Sequence, residues 1–129
     1  MNTIIIIYSL ILEDNIMKKF FHGIMSRNSS TIRAIEKGIL NPQPLFTFGT
    51  PFVNKGEGGL MGIVLDPNYS TNHYIYVMHS YREANQIYNR VARLVENNNR
   101  AYIDKIIIEK TTKIKRSICN VDLFILIFL

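Results

Sequence analysis

A single cysteine, Cys119, leaves this chain without an intramolecular disulfide and without the means to assemble a thiolate metal cluster. Set among apolar neighbours, it reads as a small buried side chain and says nothing about compartment. Long apolar runs are also missing. Ile4 to Leu12 and Val121 to Leu129, the latter broken by Asp122, are far shorter than the roughly 20 residues of a spanning helix, so a membrane protein is not expected. The front run has no basic residue before it and meets Glu13-Asp14 rather than a small-residue cleavage site. Met17-Lys18-Lys19-Phe20-Phe21 has the charge of a leader but almost no apolar core, so no secretory signal is read here. A concentrated basic region is absent as well. The net charge of +5 divides into +1 over residues 1–30, +2 over 31–110 and +2 over 111–129, which is too dispersed for a nucleic-acid partner.

What is present is strand chemistry. With 47% hydrophobic residues in 129, the chain can build one buried core. A strand from Ile24, a turn at Arg27-Asn28-Ser29-Ser30 and a strand through Thr31 to Ile35 predict a hairpin ending at Lys37-Gly38, because Asn and Ser side chains bond the local backbone. Asn41-Pro42-Gln43-Pro44 then predicts a connecting loop, since neither proline can donate to a ladder. Four strand-like segments follow: Leu60 to Leu65, Tyr74 to Tyr81, Asn89 to Glu96 and Tyr102 to Glu109. Asp66-Pro67-Asn68 and Asn97-Asn98-Asn99-Arg100 supply turns between them. In the second segment, alternation puts Tyr74, Tyr76, Met78 and Ser80 on one face and His73, Ile75, Val77, His79 and Tyr81 on the other. Both faces carry large side chains, which predicts a sheet covered on both sides.

Between the hairpin and those strands lies Gly56-Glu57-Gly58-Gly59-Leu60-Met61-Gly62, running into Asp66-Pro67-Asn68-Tyr69. Such a glycine density permits positive φ and close approach of backbone to another surface, with Glu57 as the one ionisable side chain presented. With Thr71-Asn72-His73-Tyr74-Ile75-Tyr76-Val77 and Asn89-Arg90-Val91-Ala92-Arg93-Leu94 in order behind it, residues 24–110 resemble the early part of the glucose/sorbosone dehydrogenases. These are six-bladed β-propellers that use pyrroloquinoline quinone (PQQ) and calcium and are often periplasmic or extracellular. The resemblance implies an all-β fold: a fragment of a propeller, one hairpin plus one four-stranded antiparallel blade. Residues 1–23, apolar, and 111–129, basic then apolar, are foreign to the family's style and read as the ends of an interrupted or truncated gene product. Blades run roughly 40–50 residues, so a six-bladed ring needs on the order of 250, more than this chain holds.

By the same resemblance Glu57 lies at the rim of the central depression and accepts hydrogen bonds from the sugar, while Gly56, Gly58 and Gly59 shape the loop. The family's general base, a histidine in a His-Asn-Gly-Gly motif beyond the fourth strand, has no counterpart, because no histidine follows His79. Nor are the later cofactor-holding residues matched, so this chain is expected to bind neither PQQ nor calcium and to be inactive alone.

The remaining candidates read as structural. His73 and His79 lie about 20 Å apart along a strand, too far to share a metal. Arg90 and Arg93, oddly spaced, fall on opposite faces and suit cross-strand pairing with carboxylates. Tyr69, Tyr74, Tyr76, Tyr81, Tyr88 and Tyr102 suit a core. Two other readings stand beside the enzyme fragment. One is a non-enzymatic β module that associates, with itself or a partner, through open strand edges; the other, a membrane-associated protein anchored by Val121 to Leu129, is weakened by the shortness of that run.

Overall fold

The computed structural model describes the backbone of residues 4–13, 16–26, 30–36, 39–53 and 59–111, and the side chains of 30–35, 39–53 and 59–110. Nine strands and one short helix form two antiparallel sheets in this part of the chain. The first sheet runs β1 (Ile4–Glu13), β2 (Ile16–Ser26), β3 (Thr31–Glu36) and β4 (Ile39–Leu40), with β5 (Phe46–Thr47) also pairing with β3. The second is a meander of β6 (Leu60–Leu65), β7 (Tyr74–Glu83), β8 (Gln86–Asn97) and β9 (Arg100–Thr111), each strand bonded to the next. The second sheet is the expected four-stranded blade. In the first, the hairpin of β2 and β3 is extended by β1 on its outer side.

Local chemistry explains the second sheet's connections. The β7–β8 turn places Ala84 at φ 47° and Asn85 at φ 63°, and the β8–β9 turn places Asn98 at 51° and Asn99 at 63°. Two-residue loops with both central φ values positive match the twist of a hairpin, and asparagine tolerates that region well. The turn after β6 is more elaborate than the Asp-Pro-Asn signal implied. It opens into α1 (Tyr69–Asn72), which ends at His73 in the left-handed region at φ 57°. His73 therefore lies outside β7 and does not share a strand face with His79.

β7 is buried from Ile75 to Tyr81 without a break. On one side Ile75 and Val77 join Ile63, Leu65 and Leu94 and meet Ile32, Ala34, Leu45 and Phe48, so one face of the blade packs on the first half of the chain. On the other side Tyr76, Met78 and Val91 form a second cluster with Met61, Val64, Tyr74, Ile107 and Ile108. Burial of both faces, as the alternation required, lets β7 carry large side chains at every position. Among the described residues no helix is long and apolar enough to cross a membrane.

Ile75 is fully buried and Ile103 is 45% exposed, although both are strand isoleucines. Ile75→Ala is expected to lower unfolding free energy by about 2–5 kcal/mol, and Ile103→Ala by less than about 1 kcal/mol. Urea denaturation of the two variants checks the difference; equal losses would contradict this packing.

Candidate functional site

Val53 and Gly59, the described residues on either side of 54–58, meet at a seam in β7's hydrogen bonding. Up to its centre, β7 pairs with β6. Beyond that the same edge is taken over by residues 51–53: Arg82 N–H donates to the Pro51 carbonyl at 2.9 Å, and Phe52 bridges Tyr81. Ser80 sits at the changeover. Its carbonyl accepts from Val53 N–H at 3.2 Å, its own N–H donates to the Gly59 carbonyl at 2.9 Å, and its Oγ accepts from Gly59 N–H at 3.2 Å. The two residues flanking 54–58 are thus tied to one residue of the central strand. Gly59 takes φ 116°, which a side chain would make costly, so a glycine is required there. Of the residues expected to form the site, Gly59 is placed; Gly56, Glu57 and Gly58 lie outside the described residues.

Behind the seam a polar cluster is sealed in aromatic packing. Ser80 Oγ–H donates to Asn89 Oδ1 at 2.8 Å. His79 is fully buried, its ring centroid 4.4 Å from Phe48 and 5.9 Å from Phe52. A carbonyl can only accept, so Nδ1 of His79, 3.1 Å from the Ser80 oxygen, carries the proton. Nε2 then accepts from Arg90 Nε–H at 3.2 Å. Burial, with a smaller push from the Arg90 charge, lowers the His79 pKa to about 4 against a backbone hydrogen bond that acts the other way. With both ring nitrogens committed, His79 holds the seam and has no lone pair available for proton abstraction. Arg90 also lies over the Tyr81 ring at 4.6 Å.

The other distinctive residues serve as cross-ties. Asp66 accepts from Asn68 N–H at 2.8 Å and from Tyr76 Oη–H at 2.8 Å. Burial pushes its carboxyl pKa up, but hydrogen bonds from Asn72, Asn68 and Tyr76 outweigh that and lower it. Buried Glu96 receives Tyr69 Oη–H at 3.1 Å, meets His73 Nδ1 at 3.1 Å and accepts Asn99 N–H at 2.8 Å, so one carboxylate joins α1, its C-terminal cap and the β8–β9 turn. These partners are 27, 23 and 3 residues from Glu96, and no local sequence signal reports the two long-range ones. Arg93 pairs with Asp104 at 2.5 Å and stacks on Tyr74 at 4.2 Å, as the cross-strand reading anticipated. Arg90 instead engages a histidine and a tyrosine. Of the tyrosines expected in the core, Tyr69, Tyr76 and Tyr81 are buried, whereas Tyr102 is 58% exposed.

Among the described residues no group of three His, Cys, Asp or Glu side chains could hold a metal ion. Arg90 and Arg93, the basic side chains nearest the buried networks, are already engaged.

Two antiparallel sheets sharing a core, the second a four-stranded meander, define an incomplete propeller. Residues 19–120 match the glucose/sorbosone dehydrogenase family, and the chain belongs to that family. Comparison with curated protein sequences gives no significant match. Among solved structures, it is similar to an oxidoreductase described as a glucose dehydrogenase from Thermus thermophilus, at 24% identity and TM-score 0.59 over 70% of this chain and 25% of that one. It is also similar to the PQQ-bound aldose sugar dehydrogenase of Streptomyces coelicolor, at 21% identity and TM-score 0.59 over 70% of this chain and 27% of that one. These likenesses establish the fold, and the chain spans about a quarter of the length of either enzyme.

Between its ordinary value of 6.5 in the unfolded chain and about 4 in the fold, His79 binds more protons when unfolded. Stability is therefore complete above pH 6.5 and falls as pH drops toward 4, by roughly 3 kcal/mol. Asp66, lowered from 3.8, contributes its own loss only below this window. Urea midpoints measured from pH 7 to 4.5 are expected to decline for the native chain and to flatten in His79→Gln; an equal decline in both would assign the effect elsewhere.

Proposed function

We propose that residues 24–110 form part of the sugar-binding rim of a quinone-dependent aldose dehydrogenase, flanked by 1–23 and 111–129 as segments outside that working part. Glu57 accepts hydrogen bonds from sugar hydroxyls, since one carboxylate can take several donors at once and charge strengthens each bond. Gly56, Gly58 and Gly59 let the backbone come close to the substrate. Oxidation of the sugar by the quinone belongs to the larger assembly, and this chain contributes binding and orientation.

The observation that carries the reading is the tie of Val53 and Gly59 to Ser80, which fixes both flanks of the Glu57 segment on the most buried strand of the sheet. Family membership supplies the substrate class, and the PQQ of the Streptomyces coelicolor enzyme supplies the acceptor. By itself the 129-residue chain turns over no sugar and retains neither PQQ nor calcium. The engagement of His79 at both ring nitrogens and the lack of any later histidine support this. Nucleic acid and membrane have no part in the reading.

A second reading, self-association through a strand edge, is favoured by β9, which ends the strand order and exposes Tyr102 and Ile103. Light scattering across a concentration series tests it: one defined oligomer supports it, and a monomer throughout removes it.

The primary reading is tested by grafting residues 24–110 in place of the matching segment of the Streptomyces coelicolor enzyme. The graft is expected to oxidise glucose, and Glu57→Ala in it should raise KM roughly 10- to 100-fold with PQQ content unchanged. An unaltered KM would remove Glu57 from the sugar site. The isolated chain, given PQQ, calcium, glucose and a redox dye, is expected to reduce no dye; sugar-dependent reduction would overturn its assigned inactivity.

A further inference from the structure

We propose that the groove between residues 43–47 and the start of β9 is a saccharide site that prefers sugar acids, separate from the glycine-rich loop and independent of the function proposed above. The groove is open to solvent along one side and has a volume of about 300 Å³, at the lower end of small-molecule sites. One wall comes from the segment leading into β5, with Gln43 and Leu45, and from Thr47 of β5; the other comes from the start of β9, with Arg100, Ala101 and Tyr102.

Its floor is fixed before any ligand arrives. Ala101 N–H donates to the Leu45 carbonyl at 2.8 Å, and Leu45 N–H donates in turn to the Ile32 carbonyl at 2.8 Å. Leu45 and Ala101 are 3% and 5% exposed and belong to the core between the sheets, so the walls cannot slide apart without disturbing it. Arg100 follows the Asn98–Asn99 turn, whose Asn99 N–H is held by buried Glu96. The base of the arginine is therefore pinned while its side chain stays exposed.

The chemistry of the walls selects the ligand. No acidic residue lines the groove, and among the described residues Arg100 joins no ion pair. A guanidinium without a carboxylate partner offers two parallel donors to an incoming one. Tyr102 presents an exposed ring, unlike the buried Tyr69, Tyr76 and Tyr81, and a pyranose covers such a ring with its C–H face. Gln43 supplies an amide donor and acceptor, and Thr47 a hydroxyl, for the remaining sugar hydroxyls. A neutral sugar uses the ring and the amide but offers the guanidinium only uncharged hydroxyl acceptors, which bind it more weakly than a bidentate carboxylate. A pyranose uronate engages all three.

The test is an amide-resolved NMR titration of the full chain at constant ionic strength with sodium D-glucuronate, D-glucose and sodium acetate. Saturable shifts at Gln43–Thr47 and Arg100–Tyr102 are expected with glucuronate, about tenfold weaker with glucose, and not with acetate over the same range. Arg100→Gln should bring glucuronate down to the level of glucose, and Tyr102→Ala should weaken both. Both residues are exposed, and unchanged shifts elsewhere verify the fold. The proposal is overturned by no saturation with glucuronate, by equal binding of glucuronate and glucose, by an Arg100→Gln variant that keeps the preference, or by acetate saturating as tightly as glucuronate. Shifts confined to residues 53–59 would report the loop site and count against this groove.

Discussion

β7 is a strand with no face turned to water along its middle, and that constraint orders the rest of the structure. Most of the polar groups it carries are matched inside the protein, because an unpaired buried donor or acceptor costs on the order of 1–3 kcal/mol; the buried Tyr81 hydroxyl, with no hydrogen-bond partner among the described residues, is an exception. Ser80 meets the requirement by engaging two separate backbone segments and Asn89. His79 meets it by staying neutral between a carbonyl and a guanidinium. Tyr76 meets it through Asp66. These polar residues of the central strand and their partners thus act as fasteners between the apolar clusters on its two faces.

Much of this sheet was legible in the order of residues. Alternation in Tyr74 to Tyr81 gave two buried faces, and the Asn-rich run at 97–100 gave a tight hairpin; both are local patterns governed by the pleat and by φ preference. The helix at Tyr69–Asn72 was not legible, since four residues carry no periodicity, and its place depends on the distant Glu96 carboxylate holding Tyr69 and His73. Tyr102 read as core because strand tyrosines are commonly buried, yet β9 closes the sheet on its outer side and the ring there meets solvent.

The candidate site divides in the same way. Glycine density at 56–62 marked the segment, and a glycine with positive φ does occur at 59. What anchors that segment could not be read locally, because Ser80 lies 21 residues beyond Gly59 and an isolated serine in a strand has no distinguishing pattern. Some of the residues that make the family recognisable, Asp66 and Tyr69 in particular, prove to be ties of the scaffold. Family likeness here reports the scaffold as much as the glycine-rich segment that drew attention to it.

A segment whose two flanking residues are both held by one strand residue has an unusual freedom. Its ends are brought together by Ser80 whatever lies between, so the entropy of closure depends only weakly on length, rising by about 0.6 kcal/mol when the number of residues doubles. The five positions between Val53 and Gly59 can therefore lengthen or change composition at little expense to the sheet. Sequence can thus vary at this point while the blade that holds both ends stays the same.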